Sequence, residues 1–435
     1  MWRRNLYAAW AAQILSITGF GFALPFIPFY IQELGVTEPD RLRLWTGILS
    51  SGPALTMALV APVWGMLADR LGRKIMMLRA LLFGAIVLLL MSMARTAETV
   101  LVLRISQGLF TGSITAAGAL VATGTPRDRL SYALGLLSSG HFIGLSLGPL
   151  VGGFAAEWLG YRASFAIGSG MLAAGFLLVW LLVRESDPAV ATAPEAPTVK
   201  AAVGHGSPTT VGAAARAAPG GTAVAAADSA EPEKPLRRRQ LAAFLTAPML
   251  GLFAIIMILR FVRALPIPFL PLYIQELRGQ LEGSASVTGL VSAGRGVVTA
   301  LAAVTIVRLG DRHSRLNLVG LLLAAGGILS LPIFFARSLA PFAVLLIIAT
   351  FFLGGVEPLV QADLSSRIPP QQRGLLFGIQ TSISSLGWFA APLVGTFVSI
   401  TWDLPHVFLT LTVALFLTAT IVMIVARRIQ SPAPV

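Results

Sequence analysis

Apolar runs of about twenty residues recur along the chain and decide what it can fold into. Residues 76–94 (MMLRALLFGAIVLLLMSMA) and 407–426 (VFLTLTVALFLTATIVMIVA) are two of them. A helix of that length rises about 30 Å, the thickness of a bilayer's hydrocarbon core. Inside hydrocarbon every backbone N–H and C=O needs an internal partner, which leaves only helices and closed barrels. The alternating ten-residue strands of a barrel are absent. Composition agrees: 56% of the 435 residues are hydrophobic and 12% are charged, whereas soluble domains carry roughly 25% charged residues. The sequence predicts an all-α membrane protein.

Twelve transmembrane helices are predicted, at 5–30, 45–66, 75–94, 99–122, 131–155, 163–183, 241–273, 286–307, 317–336, 340–364, 374–400 and 407–426. The start MWRRNLYAAW runs into the first span without a small-residue cleavage site and reads as a signal anchor. With the N-terminus placed in the cytoplasm, Arg70, Arg73, Lys74, Arg129, Arg308 and Arg315 fall on the cytoplasmic side. The opposite side holds Arg41, Arg43, Arg95, Arg162, Arg278 and Arg337, and the cytoplasmic side carries the excess. That asymmetry puts both termini in the cytoplasm. It also accounts for the net charge of +13 without invoking nucleic acid. The absence of cysteine excludes disulfides, thiol nucleophiles and Cys-bound metals. Residues 188–240, rich in Ala, Pro, Gly and Thr, read as a disordered cytoplasmic linker between an N-terminal bundle (1–187) and a C-terminal bundle (241–435).

The two bundles are copies. LPFIPFYIQELG at 24–35 returns as IPFLPLYIQELR at 267–278. Asp69, Arg70 and Arg73 return as Asp311, Arg312 and Arg315, and GPLVGG at 148–153 returns as APLVGT at 391–396. One offset of 242–243 residues relates them all. Six is an even number, so two six-helix bundles repeat in the same orientation. Parallel repeats of this kind belong to transporters, whose solute site lies between the halves near the midplane while the halves rock around it. The doubled prolines either end the first helix of each half or bend its outer end.

Three motifs carry a family resemblance. GMLADRLGRK at 65–74, RISQG at 104–108 and GLSLGPLVGG at 144–153 resemble motifs A, B and C of the major facilitator superfamily. Motif C is similar to that of its twelve-helix drug:proton antiporters. WRRNLYAAW, LPFIPFYIQELGVT and WTGI resemble a multidrug-efflux group among them. The resemblance covers nearly all of the chain except 188–240. It implies a monomeric, multi-pass exporter of small molecules in a bacterial inner membrane, driven by the proton gradient with no other cofactor and no metal. It also implies a conformational latch of Gly65, Asp69, Arg70, Gly72 and Arg73. In it Asp69 faces the start of the eleventh helix near Arg373, where the helix macrodipole favours negative charge, and Arg73 lies across from Asp128. Gly144, Gly148, Pro149, Gly152 and Gly153 offer a small-residue face for close helix approach.

Ionisable residues inside the membrane are expensive and mark function. Arg104, Gln107, Thr111 and Thr115 share one face of helix 4. Thr350, Gly354, Glu357 and Gln361 share a face of helix 10, Arg260 and Arg263 a face of helix 7, and helix 1 offers Gln13 and Ser16. The resemblance implies that helices 1, 4, 7 and 10 line the cavity. Glu357 is the one carboxylate well inside a span, with Asp363 nearer the cytoplasmic edge. Glu357 reads as a proton carrier or as a static ion pair with arginine. Arg104 matches the arginine that the family links to proton coupling; the alternative is that it snorkels outward. Arg295 on helix 8 and His141 on helix 5 are further cavity candidates, although a lone helical histidine is more often a packing residue.

Many drug:proton antiporters of the family that export cations carry acidic residues in the N-terminal half of the cavity, and this chain has none in helices 1, 4 or 5. Arg104, Arg260, Arg263 and Arg295 against one deep glutamate imply a positive cavity that favours neutral or anionic amphiphiles. A proton-coupled exporter, a symporter of an anionic metabolite and a lipid translocase stay open. No constellation of catalytic residues marks an enzyme.

Overall fold

The computed structural model describes residues 2–184 and 247–430, except 111, 127–128, 311–313 and 367–372. The expected linker at 188–240 lies outside these residues. Among the described residues every regular element is helical. The first half contains α1 (Trp2–Ala23), α2 (Ile27–Glu33), α3 (Pro39–Leu71), α4 (Arg73–Ser92), α5 (Ala97–Phe110), α6 (Ser113–Gly124), α7 (Leu130–Leu159) and α8 (Tyr161–Leu182). The second contains α9 (Ala247–Ala264), α10 (Leu270–Arg278), α11 (Ser284–Gly310), α12 (Arg315–Phe335), α13 (Leu339–Gly354), α14 (Val356–Ser366), α15 (Arg373–Thr401) and α16 (Leu404–Gln430).

Ten stretches among the described residues are long and apolar enough to cross a membrane. The predicted spans outside that set are helices 4 and 7. Helix 7 is cut short by its prolines, so α9 stops at Ala264 and the chain turns before α10. Helix 4 is predicted as continuous, but α5 stops at Phe110 and α6 starts at Ser113, after Gly112 at φ +124°. Helix 10, also predicted as continuous, divides into α13 and α14 at Gly355. Gly112 and Gly355 are separated by the repeat offset of 243 residues. Both halves therefore break their fourth helix at the same point.

A broken helix leaves carbonyls without their intrahelical donors. In the first half Trp64 of α3 donates its indole N–H to the Leu109 carbonyl at 2.7 Å. The Arg79 guanidinium lies 3.5 Å from the centre of the Trp64 ring, bringing positive charge to the negative end of α5. Phe83 stacks on Phe110 with centroids 4.0 Å apart. At the start of α6 the Ser113 hydroxyl meets that of Ser16 on α1 at 3.3 Å.

The repeated peptide bends the helix of the first half and ends that of the second, where a turn at 265–269 precedes α10. After α1 a 3-10 turn, Leu24–Phe26, leads into α2. The Tyr30 hydroxyl donates to the carbonyls of Met91 (2.8 Å), in the last turn of α4, and Ala94 (3.1 Å), just past it. Its copy, Tyr273, donates to the Ala336 carbonyl at 2.9 Å, just past α12. Both phenols are fully buried. Each tyrosine thus ties the repeated segment to the third helix of its own half.

The halves meet through α3 on α15 and α7 on α11. The repeat maps α3 onto α11 and α7 onto α15, so one kind of contact is made twice. Small residues make it close. A Cβ on Gly153 would lie 2.5 Å from the Ala285 carbonyl oxygen, and one on Gly289 would run into the Pro149 carbonyl. Gly144, Gly148 and Gly152 lie instead against Ile17, Gly21 and Phe22 of α1. The small-residue face therefore serves two contacts, one inside the first half and one between halves.

Polar pairs close the same end. Gln32 on α2 and Gln275 on α10 exchange two amide hydrogen bonds of 3.0 Å each. Arg43 donates to the Ser399 carbonyl at 2.8 Å, and the Ser286 hydroxyl donates to the Glu157 carboxylate. Together these contacts form a seal across the end of the bundle that holds α2 and α10.

Candidate functional site

The break at Gly355 sets up the site. It begins a new helix, α14, whose first turn carries Glu357. Opposite stands α9, where Arg260 and Arg263 lie one turn apart and project from one side. The Arg260 guanidinium (Nη2) bonds Glu357 Oε1, and Arg263 Nη1 bonds Glu357 Oε2 at 2.5 Å. One carboxylate thus bridges two guanidiniums through different oxygens. The three side chains keep 23–35% exposure, so none is sealed in the core.

A small cleft, with room for about one water, opens beside the clamp. Arg260, Glu357, Gln361 and Gln380 give it polar walls, and Ile256, Leu259 and Val360 give it apolar ones. A second space, equally small, lies on the Arg263 side, against Leu323, Leu353 and Val356. Arg295 of α11 reaches the Thr350 hydroxyl through Nε at 3.4 Å and lies within electrostatic range of Arg263. His141 of α7 is the first half's contribution, close enough to feel the charges of Arg263, Glu357 and Arg260. The region therefore holds three guanidiniums, one carboxylate and an imidazole. It can bind an anion, or exchange the clamp for one.

Other predicted positions lie apart from the clamp. Arg104 turns inward instead of snorkelling: Nη1 donates to Gln107 Oε1 at 2.5 Å, and Nε donates to the Leu49 carbonyl of α3 at 3.1 Å. Arg104 and Gln107 thus form one pinned unit on α5. Gln13 is 1% exposed and does not line the cavities around the clamp. Asp363 is buried on α14. Thr111 lies outside the described residues, so the proposed four-residue face of helix 4 reduces to the Arg104–Gln107 pair before the break.

Of the latch, Gly72 holds φ +90° in the joint between α3 and α4, a backbone geometry suited to glycine. Arg73 donates to the Ala119 carbonyl at 3.4 Å. Asp128 and the side-chain surroundings of Gly65, Asp69 and Arg70 lie outside the described residues. Gln380 is the cavity residue that the sequence reading missed. Its Oε1 is buried without a hydrogen-bond partner, as is the Ser384 hydroxyl one turn on. Two polar residues at i and i+4 inside the apolar eleventh span were the available signal.

The family model described as Major Facilitator Superfamily matches residues 9–279 and 252–435. The chain belongs to the Major Facilitator Superfamily. This superfamily member is 33% identical over 409 residues to the multidrug resistance protein MdtG of Serratia proteamaculans, covering 94% of this chain and 90% of that protein. It is 32% identical over 418 residues to MdtG of Yersinia enterocolitica, covering 95% of this chain and 91% of that protein. Two solved structures share the fold. A bacterial homologue of the human lysosomal transporter Spinster, in an inward-facing and unoccupied conformation, aligns with TM-score 0.72 at 17% identity, over 99% of both chains. The human organic anion transporter MFSD10 aligns with TM-score 0.66 at 18% identity, over 97% of this chain and 99% of that one. The protein is a multi-pass membrane transporter of this superfamily, not an enzyme.

Proposed function

We propose that this transporter is a proton-driven exporter of drug-like or amphiphilic small molecules in a bacterial inner membrane. It works as a monomer, by alternating access, with both termini in the cytoplasm. In that orientation the sealed end faces outward and the cavity loads from the cytoplasmic side. The observation that carries the reading is the Arg260–Glu357–Arg263 clamp beside a half-apolar cavity between α9, α14 and α15. The apolar wall suits an amphiphile's body, and the excess of guanidinium favours neutral or anionic compounds. Glu357, with Arg104 and Asp363 as the other candidates, couples transport to the proton gradient. Protonation and solute occupancy bias the two access states in opposite directions. Similarity to proteins named for multidrug resistance supports export.

The three arginines also favour a second reading, co-transport of an anionic metabolite or of a phosphate-bearing lipid. The test is solute-induced proton release from everted vesicles with an acid interior. It compares a lipophilic cation, an anionic bile-acid-like amphiphile and a small phosphonate, in wild type and Glu357→Gln. Proton release that the variant loses supports antiport. Uptake of the anion with no proton release sends the assignment to the second reading.

A further inference from the structure

We propose that Glu357 is a built-in occupant of an anion site. In the solute-free protein its carboxylate holds the place between Arg260 and Arg263 that the sulfonate, carboxylate or phosphate of an anionic solute takes, and that solute enters together with a proton on Glu357. This rests on reading the cavity as the solute site, and it deepens that reading by fixing the solute class that is linked to the proton and the sign of the linkage.

Two guanidinium forks converge on separate oxygens of one carboxylate, from residues three apart on one helix. Planar guanidinium forks match any oxyanion of similar shape. The site is therefore already organised for a carboxylate or sulfonate, and the chain's own side chain fills it. Glu357 stands in the first turn after a helix break, beside two cavities that both count it in their walls. Release of the carboxylate would be a swing away from α9 toward those gaps.

The surrounding charges determine the outcome of that swing. Arg260 and Arg263 face Glu357 from α9, Arg295 lies nearby on α11, and His141 faces it from α7. The ionisable residues of α12 and α11 that remain, Arg315 and Arg308, stand at helix ends, and α13 has none. On α14 the other carboxylate is Asp363, nearly two turns from Glu357. An arriving anion that takes both guanidiniums leaves the Glu357 carboxylate beside a second negative charge and without its partners. Like charges at such range disfavour each other's ionisation. A proton bound to Glu357 removes the conflict, so anion and proton favour each other's binding, and by linkage they do so equally. A cation has the opposite sign: it needs the free carboxylate and competes with the proton. Antiport through Glu357 is thereby left to the neutral compounds of the exporter reading, while an anion loads with a proton, which places anions under the co-transport reading.

The test uses the purified full-length protein in nanodiscs and naphthalene-2-sulfonate, an anion at every pH used. Calorimetry in two buffers of different ionisation heat, at pH 6 and pH 8, reads protons taken up per sulfonate. The expected result is uptake approaching one proton, with affinity falling up to about tenfold per pH unit as pH rises. Glu357→Gln, which keeps the shape and lacks the charge, binds sulfonate more tightly than wild type at pH 8, without proton uptake and with a flat pH profile. A purely structural ion pair predicts the reverse, weaker binding in the variant. Wild-type binding that is flat in pH and takes up no proton overturns the proposal, whether or not the variant folds. Absence of sulfonate binding also overturns it. If tetraphenylphosphonium or a neutral amphiphile still binds, the exporter reading survives that loss. If none of them binds and the vesicles stay silent, the exporter reading falls with it.

Discussion

Removing one amide from the Gln32–Gln275 pair weakens the seal by an amount the structure sets. The pair comprises two reciprocal hydrogen bonds of 3.0 Å between halves, at partly buried positions. Each bond contributes about 0.5–1.5 kcal/mol net. The site is half-exposed, so water takes over part of what the truncated partner leaves. About 1 kcal/mol for the pair is the reasonable expectation, equal to about a fivefold rise in the population with the seal open. The native chain has no cysteine, so a single Ser399→Cys gives a clean reporter. Ser399 is fully buried in the α3–α15 contact, where its carbonyl accepts from Arg43. A membrane-impermeant maleimide added outside intact cells labels that cysteine only when the seal opens. Gln32→Ala and Gln275→Ala each speed labelling about fivefold, and the double variant is no faster than either single, because both remove the same pair. If both singles label at the wild-type rate, the pair does not hold the end shut. If the two effects add in full, the residues act separately and the pairing argument fails.

Other substitutions test other joints. Gly289→Ala puts a Cβ against the Pro149 carbonyl, a backbone atom that cannot turn aside; the sealed state is disfavoured, read as faster Ser399→Cys labelling and lost transport. Trp64→Phe keeps a ring under Arg79 but removes the N–H that serves the Leu109 carbonyl; thermal melting in nanodiscs falls by the equivalent of about 1 kcal/mol, and an unchanged melt would show that the break needs no cap. Tyr273→Phe loses its hydrogen bond to the Ala336 carbonyl, again about 1 kcal/mol by the same assay. Tyr30→Phe, which loses two acceptors, costs at least as much.

Spans and repeat were legible because each rests on local chemistry, run length and a fixed offset; the doubled prolines, which cannot donate, announced an interruption but not whether it bends or ends the helix. The breaks in helices 4 and 10 were not legible in that way. A lone glycine costs a helix only about 1 kcal/mol, and Gly112 or Gly355 alone does not announce a break. Tertiary contacts decide it: the Trp64 indole in the first half, and in the second the close approach of Gly354 and Gly355 to Thr299 and Ile306 of α11. Reading the repeat glycine by glycine would have paired the two positions. For the clamp, spacing put Arg260 and Arg263 on one face and set Glu357 inside a span. That all three meet depends on how α9 crosses α14, which no one-dimensional pattern encodes. Arg104 was ambiguous for the same reason, since its inward turn is fixed by a carbonyl on α3. Gln380 escaped the sequence reading because it sits on the eleventh helix, outside the four expected to line the cavity.

The glutamine pair has a meaning beyond adhesion. Gln32 and Gln275 are the same position of the duplicated segment, so they meet where the pseudo-two-fold axis passes, and a residue there faces its own copy. When both copies carry one sequence, an acid or base at that spot repels itself, and a hydroxyl or an aliphatic chain gives little orientation. A primary amide carries donor and acceptor together and can pair with its own image, as in any isologous contact. A gene segment doubled end to end thus brings both sides of the lock in one residue, and either half alone already carries a key that fits itself.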